Sequence, residues 1–179
     1  MRIISGIRRG HKLVGFDGEK IRPTTDRVKE SVFNLIQEFI PNSKVLDLFA
    51  GSGSLGFEAM SRGAESVVFV DKDIESLNVV KKNATSLAFS GDVKILHMSY
   101  DEFFKNSKDC FDIIFLDPPY NKGFIEPVLS DIAQNSRISE NGIVVLESDN
   151  TDMHGEIDGL SILKQRKYGR SYITVYQRR

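Results

Sequence analysis

Cysteine is nearly missing from the chain: Cys110 is the single one in 179 residues. No disulfide can therefore close within it, and a reducing, cytoplasmic setting is expected. Long apolar runs are missing too, since no stretch approaches the roughly 18 residues of a membrane span. The N-terminal MRIISGIRRG carries charge but no apolar core of a secretion signal, so no membrane partner is expected. His97 and His154 stand without companions at metal-ligand spacing, and no metal is expected. Repeats and low-complexity tracts are absent. What remains, 40% hydrophobic and 27% charged residues, is the make-up of an ordinary globular protein long enough to bury one core.

Acid is the other local absence. Residues 164–179 hold 6 Lys+Arg and no Asp or Glu, residues 1–30 hold 8 against 4, and residues 31–163 hold 10 against 21. A net charge of −1 thus conceals an acidic body with two basic ends. That distribution fits a polyanionic partner gripped by the ends, with nucleic acid the commonest.

The first 22 residues carry two short apolar runs separated by Gly6, Arg8, Arg9 and Gly10, and are expected to form a small basic hairpin beside a main domain over 23–179. RPTTDRVKESVFNLIQEFIP reads as a helix. Thr24 or Thr25 would cap it, Val28, Val32, Leu35, Ile36 and Phe39 recur at helical spacing, and Pro41 stops it. From Lys44 onward short apolar runs alternate with helical stretches: KVLDLF, SVVFVD, VKILHM, FDIIFLD and GIVVLE are the expected strands. Their near-continuous Val, Ile, Leu and Phe indicate burial on both faces, as in a parallel sheet between helices. The tail, LSILKQRKYGRSYITVYQRR, reads as two antiparallel strands turning near Gly169.

VLDLFAGSGSLGFEA places Gly51, Gly53 and Gly56 in a GxGxxG array between a strand and a helix, where a ligand can approach the backbone. Asp71 follows about twenty residues later at the end of the second strand, placed to accept bonds from ribose hydroxyls. The array alone fits a dinucleotide enzyme or an adenosine-cofactor methyltransferase. Asp47, four residues before Gly51, separates the two: its carboxylate would repel a pyrophosphate but attract the ammonium and sulfonium of S-adenosylmethionine. Phe49, Ala50, Lys72 and Ser99 are the further candidates for this cofactor. Asp73 and Glu75 suit a helix start, as do Ser99 and Asp101 if they do not touch adenine.

At FLDPPYNKG the chain leaves a strand through two prolines, which hold carbonyls outward in an extended form. Asp117 and the Pro118 carbonyl could accept the two hydrogens of an exocyclic amine, and Tyr120 offers a ring on which the base would stack. An amine so held aims its lone pair at an incoming methyl group. By itself the motif serves any exocyclic amine.

Together RIISGIRRGHKL, RPTTDRVKESVFNLI, DLFAGSGSLGFEAMSRGA, VFVDKD and LDPPY resemble the bacterial 16S ribosomal RNA guanine-N2 methyltransferases of the RsmD type, within the class I methyltransferases. The resemblance runs from Arg2 to about Glu147, and RPTTDRVKE is its most family-specific piece. It implies an α/β, Rossmann-like fold of seven strands with the last reversed, S-adenosylmethionine as cofactor, and methylation of one guanine in small-subunit ribosomal RNA. It implies that Asp47, Gly51, Gly53 and Asp71 line the cofactor and that Asp117, Pro118, Pro119 and Tyr120 hold the base. Arg2, Arg8, Arg9, His11, Lys12, Arg22 and Arg27 are the candidates for RNA phosphates, with Arg166, Lys167 and Arg170 extending the track. A monomer acting on 16S rRNA in the small subunit or an assembly intermediate is expected. The competing readings are an adenine-N6 methyltransferase, a non-catalytic RNA-binding assembly factor, and a nicotinamide oxidoreductase, the last disfavoured by Asp47.

Overall fold

The computed structural model describes residues 1–16, 26–118, 123–148, 157–169 and 171–179. The apolar runs build one seven-stranded sheet. Its members are β1 (Lys44–Asp47), β2 (Ser66–Asp71), β3 (Val93–His97), β4 (Phe111–Leu116), β5 (Ile138–Ser148), β6 (Leu160–Tyr168) and β7 (Ser171–Arg178). They lie in the order β3-β2-β1-β4-β5-β7-β6. β7 runs antiparallel to both β5 and β6, while β1 to β5 pair in parallel. The seven strands and the reversed last one implied by the resemblance are therefore both present. Winding changes direction between β1 and β4, and at such a switch point the strand ends leave a crevice for a ligand.

Helices cover both faces. α1 (Asp26–Leu35), α2 (Ser54–Ser61) and α3 (Ile74–Ser86) lie on one side, α4 (Tyr100–Asn106) and α5 (Ile125–Gln134) on the other. β4 shows why its residues are apolar without interruption. Ile113 and Phe115 pack with Phe33, Phe57 and Val80, whereas Ile114 and Leu116 pack with Phe103, Val128 and Ile132. Alternate side chains enter opposite layers, and each full burial is worth about 1.5–3 kcal/mol.

The N-terminal segment closes as a tight hairpin, with one bridge between Arg2 and Lys12 and Ile3 N–H donating to His11 O at 2.9 Å. Its apolar side enters the core: Ile3 is fully buried and Leu13 nearly so. Its backbone is received by α2, where the Glu58 carboxylate accepts from Ile4 and Ser5 N–H at 2.8 and 3.0 Å. The same carboxylate meets Lys29 of α1 at 3.5 Å and Arg62 at 2.8 Å. Lys29 in turn donates to Arg2 O at 2.6 Å and Ser54 Oγ at 3.0 Å. One buried ion pair thus joins hairpin, α1 and the first turn of α2.

Several expected boundaries move. β1 stops at Asp47 rather than Phe49, because Leu48 and Phe49 turn toward the glycine loop. β3 stops at His97 and β4 at Leu116. β5 begins at Ile138, earlier than Gly142, since the polar Ser139, Glu140 and Asn141 hide its start from a hydrophobicity reading. The first helix ends at Leu35 and tightens into a 3₁₀ turn over Gln37–Phe39; Thr24 and Thr25, its expected caps, lie outside the described residues, as does the boundary at residue 22. Cys110, just before β4, is exposed. The tail hairpin turns at Gly169 as expected, with φ +62°. An irregularity in β6 between Ile162 and Lys164 leaves Leu163 as an extra residue, 40% exposed.

Candidate functional site

The site lies along the carboxyl ends of β1, β2, β4 and β5. Gly51 and Gly53 adopt φ values of +52° and +77°, a region costly to residues with a Cβ. Their surroundings differ: a Cβ on Gly53 would come within 2.7 Å of Phe57, while nothing lies within 4 Å of one on Gly51. Gly53 therefore seats α2 on the sheet, and Gly51 faces open space. Asp71, at the end of β2, holds this turn, accepting from Gly51 N–H through Oδ2 and from Asp73 N–H through Oδ1, both at 2.9 Å. Each carboxylate oxygen keeps a second lone pair for a hydroxyl.

Asp47 ends β1 and is 2% exposed. Its Oδ2 accepts from Gly56 N–H at 3.0 Å, and among the described residues nothing donates to its Oδ1. Burial, only partly offset by that hydrogen bond and aided by the charge of Asp71, pushes its pKa up to about 7. A buried acceptor oxygen without a donor beside an open glycine turn is what a cationic ligand would complete. The donor set thus fits the ammonium of S-adenosylmethionine and would oppose a pyrophosphate.

Asp117 follows β4 directly. Burial of its carboxyl, then the charges of Glu147 and Asp47, hold its pKa well above the usual carboxylate range. Glu147, near the end of β5, was missed by sequence reasoning. Leu116 pairs with Leu146 in the sheet, so the residues that follow, Asp117 and Glu147, are brought side by side. Sequence alone does not show which strand neighbours which. Pro118 is buried; Pro119 and Tyr120 lie outside the described residues.

An aromatic cluster borders this acidic row. Phe49 stacks on Phe124 with centroids 6.2 Å apart, and Tyr100 contacts Phe49 at 6.0 Å and Phe124 at 5.6 Å. All three are half-buried. Phe124 carried no signal in the sequence beyond its closeness to the proline motif. Ala50 is buried under the turn, its N–H bonded to Val70 O, whereas the Lys72 side chain is exposed and its carbonyl is bonded to His97 Nε2 at 3.0 Å. Ser99 caps α4: its N–H and hydroxyl both donate to Glu102, each at 2.9 Å. Asp73 caps α3 by accepting from Glu75 N–H. Among the described residues no group of three or more His, Cys, Asp or Glu could hold a metal, and no helix is long and apolar enough to cross a membrane.

The basic candidates divide. Arg8 donates to Leu87 O at 2.8 Å and covers Phe89 at 5.5 Å, so it fastens the hairpin to α3. His11 reaches Ser86 Oγ at 2.8 Å, and Arg2 pairs with Asp26 at 3.1 Å while remaining 62% exposed. Arg9, Lys12 and Arg27 are exposed. Arg22 and Arg170 lie outside the described residues.

A family model described as Conserved hypothetical protein 95 matches residues 1–177. Ribosomal RNA small subunit methyltransferase D of Haemophilus influenzae is 37% identical over 180 residues, covering 99% of this chain and 93% of its own. A solved Escherichia coli structure, named yhhF and provisionally called a methyltransferase, superimposes with a TM-score of 0.89 at 32% identity, covering 99% of this chain and 97% of that one. A more distant structure, SMU.776, was solved in complex with S-adenosylhomocysteine; it shares the fold at a TM-score of 0.65 and 15% identity, over 80% of this chain and 48% of its own.

Proposed function

The chain belongs to the Conserved hypothetical protein 95 family, the family of the RsmD-type enzymes its motifs resemble, and on that premise we propose that it methylates the exocyclic N2 amine of one guanine in 16S ribosomal RNA, using S-adenosylmethionine. The observation that carries the reading is the buried Asp47 carboxylate, one of whose oxygens has no donor among the described residues, on the strand beside β4 and two residues short of Asp117 in the sheet register, close enough for its charge to act on Asp117. A cation-accepting pocket and an amine-accepting motif are thereby adjacent. Ribosomal RNA as substrate is supported by the name of the Haemophilus relative.

S-adenosylmethionine, when bound, supplies an electrophilic methyl group on a sulfonium. Asp47 would hold its ammonium, Asp71 its ribose hydroxyls, and Gly51 would admit it against the backbone. Phe49 and Ala50 border the same turn. Asp117 accepts one amine hydrogen, and the Pro118 carbonyl, held outward by the proline pair, accepts the second. With both hydrogens engaged, the nitrogen lone pair points along the line of displacement. The carboxylates offset the positive charge that grows on the nitrogen as the new C–N bond forms and the C–S bond breaks. The extra proton leaves the amine after transfer, so a strong base is not required. Tyr120 completes the site as the stacking ring, and Arg2, Arg9, Lys12, Arg22 and Arg27 serve the RNA backbone.

Labelled cofactor incubated with unmodified small-subunit particles, free 16S rRNA and duplex DNA tests this directly. N2-methylguanosine in the digested RNA is expected. Label in adenine alone would overturn the guanine assignment, and no label in any nucleic acid would favour the assembly-factor reading. Asp117→Ala should lower turnover by at least a hundredfold while binding of S-adenosylhomocysteine persists.

A further inference from the structure

The acidic row at the site continues across the sheet into basic residues. Glu147 of β5 pairs with Ile173 of β7, and Ile173 pairs with Arg166 of β6. Side chains paired across strands share a face, so Arg166 stands in the same row as Glu147, two strands away, about 10 Å by ordinary strand spacing. The next row holds Ser148, Tyr172 and Lys167. Because β6 runs parallel to β5, its last residues and the Gly169 turn reach the carboxyl edge of the sheet, where Asp117 sits. The hairpin tip is therefore beside the site and not at the far end of the molecule.

Both cations are available. Arg166 and Lys167 are exposed; among the described residues Arg166 donates to the Gln165 carbonyl, at 2.8 Å, and neither cation has an acidic partner. The Lys167 ammonium lies 5.2 Å from the centroid of Tyr172, an arrangement that holds a cation in place without neutralising it. Lys164, two rows behind Arg166, differs: it donates to Leu35 O at 2.8 Å and pairs with Glu38 at 3.6 Å, tying β6 to α1. On the other flank the N-terminal hairpin lies against α2 and α3, where Glu58 accepts from Ile4 and Ser5 N–H and Asn83 Oδ1 accepts from Val14 N–H. The catalytic edge is thus bracketed by two basic elements.

We infer that the tip of the β6–β7 hairpin is a second RNA-contact element, in which Arg166 and Lys167 bind phosphates flanking the target guanine on the side away from the N-terminal hairpin. The inference rests on the proposed RNA substrate. Charge complementarity selects the partner: residues 164–179 contain no acid, and the β6 edge is free of any neighbouring strand among the described residues. Cations on either side of the acidic row would lower a negatively charged strand onto a surface that otherwise repels it.

Filter binding of the full chain to unmodified, transcribed 16S rRNA, across a salt series, tests the assignment. Arg166→Ala with Lys167→Ala should weaken binding about tenfold near 0.1 M salt and reduce the slope of log K against log salt by roughly 1.4, about 0.7 for each single-strand phosphate that no longer meets a cation. Affinity for S-adenosylhomocysteine should not change. Arg166→Gln with Lys167→Gln, which retains packing over Tyr172, should behave alike. Lys44→Ala with Lys94→Ala is the charge-matched control, since both lysines are exposed and lie within the first two residues of their strands, at the opposite edge of the sheet. Equal loss in the control, or RNA binding within twofold of wild type in both test variants, overturns the inference while leaving the proposed function standing. Failure of the wild-type protein to bind the RNA overturns both.

Discussion

At Asp47 a carboxylate is kept almost out of water with, among the described residues, one hydrogen bond, from Gly56. Its pKa of about 7 lies above the usual value, so ionisation is harder in the folded chain than in the unfolded one. The group therefore destabilises the ligand-free fold increasingly as pH rises from its unfolded pKa, and the penalty is complete above about 7. A bound cation reverses the preference, because only the charged form attracts it. Affinity for S-adenosylmethionine should rise between pH 6 and 8 and level off beyond, as calorimetric titration would show. Asp47→Asn should flatten that profile and weaken cofactor binding about tenfold or more. The same substitution should raise the melting temperature of the free protein at pH 8 and leave it nearly unchanged at pH 4. Asp117 follows the same logic in turnover: ionised, it accepts the amine hydrogen more strongly and offsets the charge that grows on the nitrogen, so the rate should climb with pH, as single-turnover assays would record.

Among the elements, α2 is the junction. Its first turn forms the floor of the cofactor loop, and its Glu58 receives the hairpin backbone, Lys29 and Arg62. Burial lowers the pKa of Lys29 in spite of the Glu58 charge, so the lysine is held by geometry as much as by attraction. Lys29→Met should cost roughly 3 kcal/mol, because it leaves a buried charge with one partner fewer. Adding Glu58→Gln should recover part of that loss, and urea melts of the two single variants and the double one would give the coupling. None of this is legible in the sequence. Lys29 and Glu58 lie far apart along the chain, and hydrophobic periodicity marks Val28 and Val32 as the inward residues while passing over the lysine between them. The strands, by contrast, are legible because parallel burial demands unbroken apolar runs, and the glycine loop because its conformations exclude other residues. Strand ends are less so: Leu48 and Phe49 are as apolar as the strand they leave. Ser99 is ambiguous for a physical reason, since a hydroxyl at a helix start can cap the helix or meet a ligand, and here it bonds Glu102. Glu147 requires knowledge of sheet order, which pattern alone does not supply.

For the molecule as a whole, the two basic ends are built into the body. Ile3 and Leu13 belong to the same core cluster as Phe57 and Phe69, so removal of residues 1–13 should do more than delete RNA contacts. It would expose that side of the core and leave Glu58 with fewer donors. The truncated protein should unfold at a clearly lower urea concentration than the full chain, as far-ultraviolet circular dichroism would measure, with S-adenosylhomocysteine narrowing the gap by mass action. Charge is also arranged at this scale. On the proposed reading, the acidic middle would repel an RNA strand and the two basic ends would draw it toward the catalytic edge.

The extra residue in β6 bears on a different matter. An open sheet edge is a template onto which another chain can add a strand, and two copies joined that way grow into aggregates. At Leu163 the edge loses its regular spacing, and Lys164, Arg166 and Lys167 follow within four residues, so an incoming strand would meet an interrupted ladder and a line of like charge. The edge inferred to meet the substrate is thereby also poorly suited to accept a strand from a second copy of the chain.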